Sequence, residues 1–329
     1  MIAYVLSRLW QAAVVMLAVI ALAFVMFTYL GDPVVAILGA DSTQAAREAV
    51  RRDLGLDQPM IVQFGDYLLR LLGGDFGISY RLGRPVDQVL VERLPATVEL
   101  ATFGMALALA LGIPLGILTA IRRRSAGSQA LLGISLVGIS MPSFLAGVLL
   151  IWLFSVTLEI FPSFGRGDTV DLGWWTTGLL TASGWRSLVL PALTIAIFQV
   201  AMMMRLVRAE MLEVMRKDFI RFARARGLPN RSVHLRHALR NTLVPVVTIA
   251  GLQLGSVIAF AVITESVFQW PGLGLLFLQS VAAADVPVIS TYLVLIAALF
   301  VAINLAVDLL YLWIDPRLRS SAGAEAIRR

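Results

Sequence analysis

Apolar runs long enough to cross a bilayer recur along the chain, separated by segments in which nearly all the charge is gathered. A spanning helix needs about 20 predominantly apolar residues. Runs of that kind fall at 10–30, 96–121, 130–158, 188–204, 241–263 and 286–313. The pattern predicts an all-α membrane protein with six transmembrane helices. A cleaved signal peptide is the alternative for the first run, but 10–30 is longer than an ordinary signal core of about 7–15 residues, and no small-residue cleavage site follows it. The third run carries an internal Ser140-Met141-Pro142.

The polar segments divide the chain. Residues 1–30 form the N-terminal end with the first span, and 31–95 an extracytoplasmic segment. Residues 96–315 carry five spans and the basic loop 205–240, and 316–329 form a basic tail. Within 31–95 a short helix is expected over 45–54, stopped at Gly55, with turns at 73–77 and Pro85. Residues 159–187 are polar and rich in tryptophan. Trp174, Trp175 and Trp185 are expected as interfacial anchors, with contact to a partner protein as the alternative.

Composition strengthens the membrane reading. Of 329 residues 59% are hydrophobic and 15% charged, and the mean hydropathy is +0.84. Soluble domains carry about 25% charged residues. The net charge of +6 has a topological meaning, not a nucleic-acid one. Arg8, the 122–124 run, the 205–240 stretch and the tail hold 18 of the 27 Lys and Arg residues, and six spans put all four on one side. By the positive-inside rule that side is the cytoplasm, with both termini in it.

Candidate chemistry is sparse. The chain has no cysteine, which removes disulfides, thiolate metal sites and cysteine nucleophiles. Its sole lysine, Lys217, has no glycine-rich loop before it, so the chain lacks a phosphate-binding loop of its own. Gly133-Ile-Ser-Leu-Val-Gly138 misses the nucleophile-elbow spacing by one residue. His234 and His237, the two histidines, have no carboxylate or cysteine company and read as surface groups. Glu99, Glu265 and Asp308 lie in or near spans, where ionisable groups point to function or to structural pairing with an arginine or a helix end. Gln253 and Ser140 are candidates for lining a path at depth. Gly112 and Gly116 are expected to let helices pack closely.

The basic loop is the informative segment. Phe219, Phe222 and Ala223 fall at i, i+3 and i+4 and predict one apolar stripe on a short helix. Gly227 and Pro229 end that helix, and Ser232 is placed to cap a second, whose Val233, Leu239 and Leu243 lead into the fifth span. The outcome is a helix–turn–helix elbow in which small Ala223, Ala225 and Gly227 would admit a partner backbone.

Here the sequence resembles a known family. Asp218-Phe-Ile-Arg-Phe-Ala-Arg-Ala-Arg-Gly-Leu228 and His237-Ala-Leu-Arg-Asn-Thr-Leu-Val-Pro-Val-Val-Thr248 resemble the coupling motif of binding-protein-dependent ABC importer permeases, dipeptide/oligopeptide/nickel branch. Gly251-Leu-Gln-Leu-Gly255, Thr264-Glu-Ser-Val-Phe-Gln-Trp-Pro-Gly-Leu-Gly274, Asn304-Leu-Ala-Val-Asp-Leu-Leu-Tyr311 and Asp315-Pro-Arg317 also fit. So do Gly31-Asp-Pro33, Leu54-Gly-Leu-Asp57, Gly74-Asp-Phe-Gly-Ile-Ser79 and Ser140-Met-Pro142, so the likeness covers essentially the whole chain. It departs from the general importer motif Glu-Ala-Ala-x3-Gly-x9-Ile-x-Leu-Pro. Arg221 and Phe222 stand where Glu and the first Ala would be, only Ala223 is kept, and Gly227 to Pro245 is five residues longer.

The resemblance implies a type I ABC importer permease-like fold with a cytoplasmic coupling helix. Asp218, Phe219, Arg221, Phe222, Ala223, Arg224, Ala225, Arg226, Gly227 and Leu228 would couple to an ATPase. Ser140, Met141, Pro142, Gln253, Glu265, Trp270, Pro271 and Gly272 would belong to the translocation path or its gate. No cofactor or metal would be bound and nothing catalysed by this chain; ATP and Mg would sit on partner subunits. The implied partners are a second homologous permease, two cytoplasmic ABC ATPases, an extracytoplasmic substrate-binding protein and membrane lipid, with no nucleic acid, in the cell inner membrane. Peptide uptake is the implied function. Nickel, glutathione or opine-like solutes are alternative cargoes, and an ion-coupled secondary carrier or a membrane scaffold the alternatives of other classes.

Overall fold

A computed structural model describes residues 2–29, 34, 38, 42–53 and 57–314. The motifs at Gly31-Asp-Pro33, Leu54-Gly55-Leu56 and Asp315-Pro-Arg317, the stop at Gly55 and the tail 316–329 lie outside the described residues. The helices in chain order are α1 (Ile2–Tyr29), α2 (Gln44–Asp53), α3 (Met60–Leu72), α4 (Val86–Ile121), α5 (Ala126–Ser140), α6 (Ser143–Leu150, widening into a π-type turn over Ile151–Thr157) and α7 (Ala182–Val214). They continue with α8 (Asp218–Ala225), α9 (Asn230–Val267, with a π-type turn over Val233–Ala238), α10 (Leu273–Ala282) and α11 (Val286–Ile314). A two-residue ribbon, β1 (Val170–Asp171) against β2 (Thr176–Thr177), lies in the tryptophan-rich segment.

Among the described residues five helices, α1, α4, α7, α9 and α11, are long and apolar enough to cross a membrane, and α5 with α6, taken as one bent span, makes a sixth. The helices outrun the apolar runs. The 36 residues of α4 reach about 54 Å against a hydrocarbon core of about 30 Å. It starts at Val86, ten residues before the apolar run at 96, because the run marks where lipid begins and not where the backbone turns helical. Likewise α7 extends through the first part of the basic stretch, to Val214. The helices α3 and α10 were not legible in the polar pattern.

The third expected span is two helices meeting at 106°. Pro142 supplies no N–H and drives the residue before it out of the helical region, and Met141 is extended at φ −79°, ψ 126°. The apolar run is continuous through the break, so hydropathy alone reads it as one rod.

Close approach of α4 to α7 sets the centre. Gly104, Ala108, Gly112 and Gly116 repeat every four residues, so they line one face of α4. A Cβ on Gly112 would stand 2.8 Å from Met203 Cβ, and one on Gly116 2.6 Å from Val207 Cβ. The expectation for Gly112 and Gly116 holds. Around this pair α9 packs through Val246 and Ala250 onto Met203 and Val207, and through Val257 and Ile258 onto Ala101, Met105 and Ala108. Exposed apolar side chains such as Leu6, Leu17, Leu22 and Val25 cover the outside of α1, as lipid-facing positions require.

Candidate functional site

The elbow is built on the ends of two long helices. After Val214 a turn held by Lys217 N–H to Val214 O (3.1 Å) redirects the chain into α8. Ile220 and Ala223 are buried against Ala120 at the end of α4, Met211 and Val214 of α7, and Val233 and Ala238 of α9. Any displacement of α8 is therefore felt by three spans at once.

The apolar stripe is split in a way its spacing did not foretell. Ala223 faces inward beside Ile220, while Phe219 and Phe222 stand 42% and 65% exposed on the other side. The stripe expected to join Phe222 to Ala223 is corrected accordingly: the inward partner of Ala223 is Ile220, and Ala223 is closed to any partner. Asp218, Arg221, Arg224, Ala225, Arg226, Gly227 and Leu228 are exposed around the two rings. Asp218 pairs with Arg221 at 3.2 Å, and Arg226 Cζ lies 5.8 Å from the Phe222 centroid. The outward surface is thus aromatic at its middle and basic at its rim.

The stop at Gly227 has the expected geometry. Gly227 sits at φ +76°, its N–H reaches Arg224 O (2.9 Å), and Leu228 N–H reaches Ala223 O (3.4 Å). That pair of bonds is the Schellman closure, which needs a left-handed residue and so favours glycine. The second helix begins earlier than expected. Pro229 occupies the cap position and Ser232 lies inside the first turn, making no capping bond. Pro229, at φ −65° and ψ 144°, turns the chain into the helix but offers no side-chain acceptor to the N–H groups of the first turn. Val233 is buried, Leu239 and Leu243 half-buried.

The opposite end, called here the far end, is organised by buried charge. Glu99 of α4 and Arg166 form an ion pair at 2.6 Å with side chains 5% and 7% exposed. Arg166 also donates to Thr176 Oγ1 (3.2 Å) and Thr176 O (2.7 Å), and Trp175 Nε1 reaches Glu99 Oε1 (3.4 Å). Of the three tryptophans expected as interfacial anchors, Trp175 packs on this pair and Trp185 meets Phe103 edge-on, whereas Trp174 is 81% exposed.

Glu265 is wholly buried in the last turn of the apolar part of α9, where it serves a helix end. Its Oε1 accepts from Thr97 Oγ1 (2.6 Å) and its Oε2 from Leu275 N–H (3.0 Å) in the first turn of α10, while Thr97 Oγ1 accepts from Leu273 N–H (2.8 Å). A carboxylate there meets unpaired N–H groups and the positive end of the helix dipole. A side chain at Gly272 would collide with this carboxylate, so only glycine fits. Trp270 is buried and donates from Nε1 to Ala96 O (2.9 Å); Pro271 beside it is half-buried. A second buried carboxylate, Asp285, accepts from Ser79 Oγ and from the N–H groups of Tyr80 and Arg81, fastening the turn before α4 to the loop before α11.

The remaining candidates are scattered. Ser140, Met141 and Pro142 form the bend between α5 and α6, with Ser140 and Pro142 exposed. Gln253 is half-buried, with its Nε2 2.6 Å from Met202 Sδ. Asp308 pairs with Arg8 at 3.1 Å, joining α11 to α1. Glu99, Glu265 and Asp308 thus each answer to an arginine or a helix end. His234 and His237 lie half-buried on the π-type turn of α9, and among the described residues no three His, Cys, Asp or Glu side chains gather as a metal would require. Sequence reasoning missed Arg166, Thr97 and Asp285, whose partners lie 67 to 206 residues away.

Comparison with known proteins gives the same outline. The family model described as "Binding-protein-dependent transport system inner membrane component" matches residues 112–320, and an N-terminal model of the same transport-system class matches residues 1–101. A putative peptide transport system permease protein of Brucella abortus is 42% identical over 322 residues, covering 97% of this chain and 99% of that protein. The probable D,D-dipeptide transport system permease protein DdpB of Escherichia coli is 41% identical over 96% of this chain and 97% of its own length. For the dipeptide transport system permease protein DppB of Escherichia coli the values are 36%, 97% and 99%. In fold, inward-facing forms of the MetNI methionine ABC transporter match with TM-scores of 0.54 and 0.57, at 20% and 19% identity, over 69% of this chain and 97% of theirs.

Proposed function

This chain belongs to the family of binding-protein-dependent transport system inner membrane components, and from that premise we propose that it forms half of a peptide translocation pathway worked by ATPase subunits docked on its elbow. The relatives' names support peptide as the cargo. The observation that carries the coupling role is the split of α8. Ile220 and Ala223 clamp it to three spans, while Phe219, Phe222 and the surrounding arginines are presented outward. Such a piece transmits a push. Two ATPase chains hold ATP and Mg, a second permease completes the path, and this chain itself catalyses nothing and binds no cofactor. The elbow end and both termini face the cytoplasm, on the strength of the lysine and arginine distribution. Residues 31–95 and 159–187 face outward to receive the binding protein. Ser140–Pro142 and Gln253 belong to the path. Glu265, Trp270 and Gly272 shape the outer gate as buried supports, without lining it.

An ion-coupled carrier is the reading this displaces. Glu99, Glu265 and Asp308 are each committed to an ion pair or a helix end, leaving them poor proton relays through the midplane. Replacing Phe222 by Asp in the assembled transporter tests the coupling role. Co-purification of ATPase chains and peptide uptake should both fall while the chain stays folded; intact uptake with bound ATPases would refute it.

A further inference from the structure

Helix α3 divides into three sectors along its whole length. Phe64, Tyr67 and Leu71 recur at i, i+3 and i+7 and are half-buried. Phe64 and Tyr67 meet Phe24 of α1 at ring-centroid distances of 5.5 and 5.7 Å, and Tyr67 stacks on Phe27 at 6.0 Å. Tyr67 and Leu71 also face Pro287 and Ser290 of α11 across a cavity of about 70 Å³. Gln63, Asp66 and Arg70 repeat the same spacing on a second, polar sector. Ile61, Leu69 and Leu72 occupy the third and are 87%, 69% and 75% exposed. Gly65 lies among them, and a Cβ on it would meet nothing within 4 Å among the described residues.

The contacts fix the depth of the helix. The apolar stretch of α1 ends at Thr28 and that of α11 begins at Val286. Phe24 and Ser290 therefore lie about 6 Å inside the far ends of two spans. A helix seated there, with one strip apolar and another polar from end to end, satisfies both strips in the plane where lipid meets water. We propose that α3 lies in that plane at the far end, with Ile61, Leu69 and Leu72 among phospholipid acyl chains and Gln63, Asp66 and Arg70 toward water. Through Gly73 and Gly74 it leads to Ser79, which Asp285 holds. The membrane surface would thereby set the depth of that turn and of the start of α4.

Protein partners fit this face less well. A soluble binding protein that comes and goes would leave three large apolar side chains in water between visits, a patch that folded surfaces avoid. A helix of a second permease would meet the face inside lipid, where helix contacts favour small residues, and Ile61, Leu69 and Leu72 are large. Acyl chains need neither a fixed partner nor a matching shape. Beside this helix α1 already turns Leu22 and Val25 outward, as lipid-facing positions require.

Spin labelling tests the placement, since the chain has no cysteine of its own. Ile61→Cys, Leu69→Cys, Gln63→Cys and Asp66→Cys would each carry a nitroxide in the transporter assembled with cysteine-free partner chains. The membrane is a nanodisc of phosphatidylglycerol and phosphatidylcholine. Labels at positions 61 and 69 should collide with dissolved oxygen and little with an aqueous nickel chelate, at a depth of about 5–10 Å below the lipid phosphates. Those at 63 and 66 should favour the chelate. Adding Leu69→Asp should lift the label at 61 toward the phosphates, while Leu69→Met should leave it in place, which separates lost lipid contact from misfolding. Equal chelate access in the two sectors overturns the proposal. So does a label at 61 or 69 that the partner chains shield from both reagents. Loss of ATPase co-purification with label depth intact would sink the coupling reading and leave this one standing.

Discussion

The two ends of the molecule are held together by opposite chemistry. At the far end, Glu99, Arg166, Glu265 and Asp285 are buried, and all but a few of their polar atoms are answered by a partner at hydrogen-bonding distance. At the elbow end Met211, Val214, Ile220, Val233 and Ala238 make an apolar clamp, and the charge lies outside on exposed arginines. Buried ionic networks tolerate little change of geometry, because a moved partner leaves a desolvated charge unpaired. Apolar contacts are non-directional and can shift slightly at small cost. The far end is built to keep its shape, and the elbow is free to shift against the spans it packs on.

The sharpest way to break this contrast is to remove one partner of the buried pair. Arg166→Met leaves Glu99 buried without its cation and should cost about 3–5 kcal/mol, read as a fall in thermal unfolding temperature of the purified protein. The double change Glu99→Leu with Arg166→Met should recover most of that, since a hydrophobic replacement of a whole buried pair is often neutral. If the single variant is as stable as the parent, the far end is not held by charge.

The close helix pair supports both ends and ranks next. Gly116→Leu forces a side chain into Val207, whose Cβ would lie 2.6 Å from the new Cβ, and should destabilise by about 1–3 kcal/mol through overpacking. Gly133→Leu on α5, with nothing within 4 Å, is the control; it should be neutral or gain up to about 1 kcal/mol from helix propensity. Equal effects at the two sites would mean that the four-residue repeat on α4 does not set the packing distance.

At the elbow the expected signature is a separation of stability from binding. Phe222→Ala should change thermal stability by under about 0.5 kcal/mol, because the ring is largely exposed. The same change should weaken ATPase binding in a pulldown roughly fivefold to thirtyfold, the range of an aromatic anchor at an interface. Ala223→Asp should do the reverse, lowering stability first, since it places a charge among Met211, Val214 and Val233. A stability loss with Phe222→Ala would mean that the outward face is structural after all.

Much of this contrast was legible in the sequence, and the gaps have physical causes. Span number, the stop at Gly227 and the close packing at Gly112 and Gly116 follow from local rules of hydropathy and glycine geometry, whereas the 106° bend at Ser140–Pro142 does not, because the apolar run reads as one span. Which side of α8 is buried did not, because Phe219, Ile220, Phe222 and Ala223 offer two overlapping apolar faces and packing on α7 chooses between them. The Glu99–Arg166 pair joins residues 67 positions apart, and one sequence holds no record of such a meeting. Glu265 was singled out for its cost in lipid, yet its reason emerged only with α10, whose first turn it closes.

A last, smaller effect probes the seam between α1 and the rest. Arg8 and Asp308 meet at 3.1 Å with side chains 39% and 27% exposed. Water still reaches both groups, so the pair falls between the locked ionic centre at the far end and the exposed arginines of the elbow. Its loss in Arg8→Gln should cost no more than about 1 kcal/mol of stability. The cost should shrink as salt is raised toward 1 M, where screening acts within about 3 Å. The Arg166→Met penalty should not shrink in this way, because that pair is shielded from ions. Measuring both variants in low and high salt places each charge pair on one scale of burial. If the Arg8→Gln cost held constant while that of Arg166→Met shrank, the assignment of buried charge to the far end would have to be reversed.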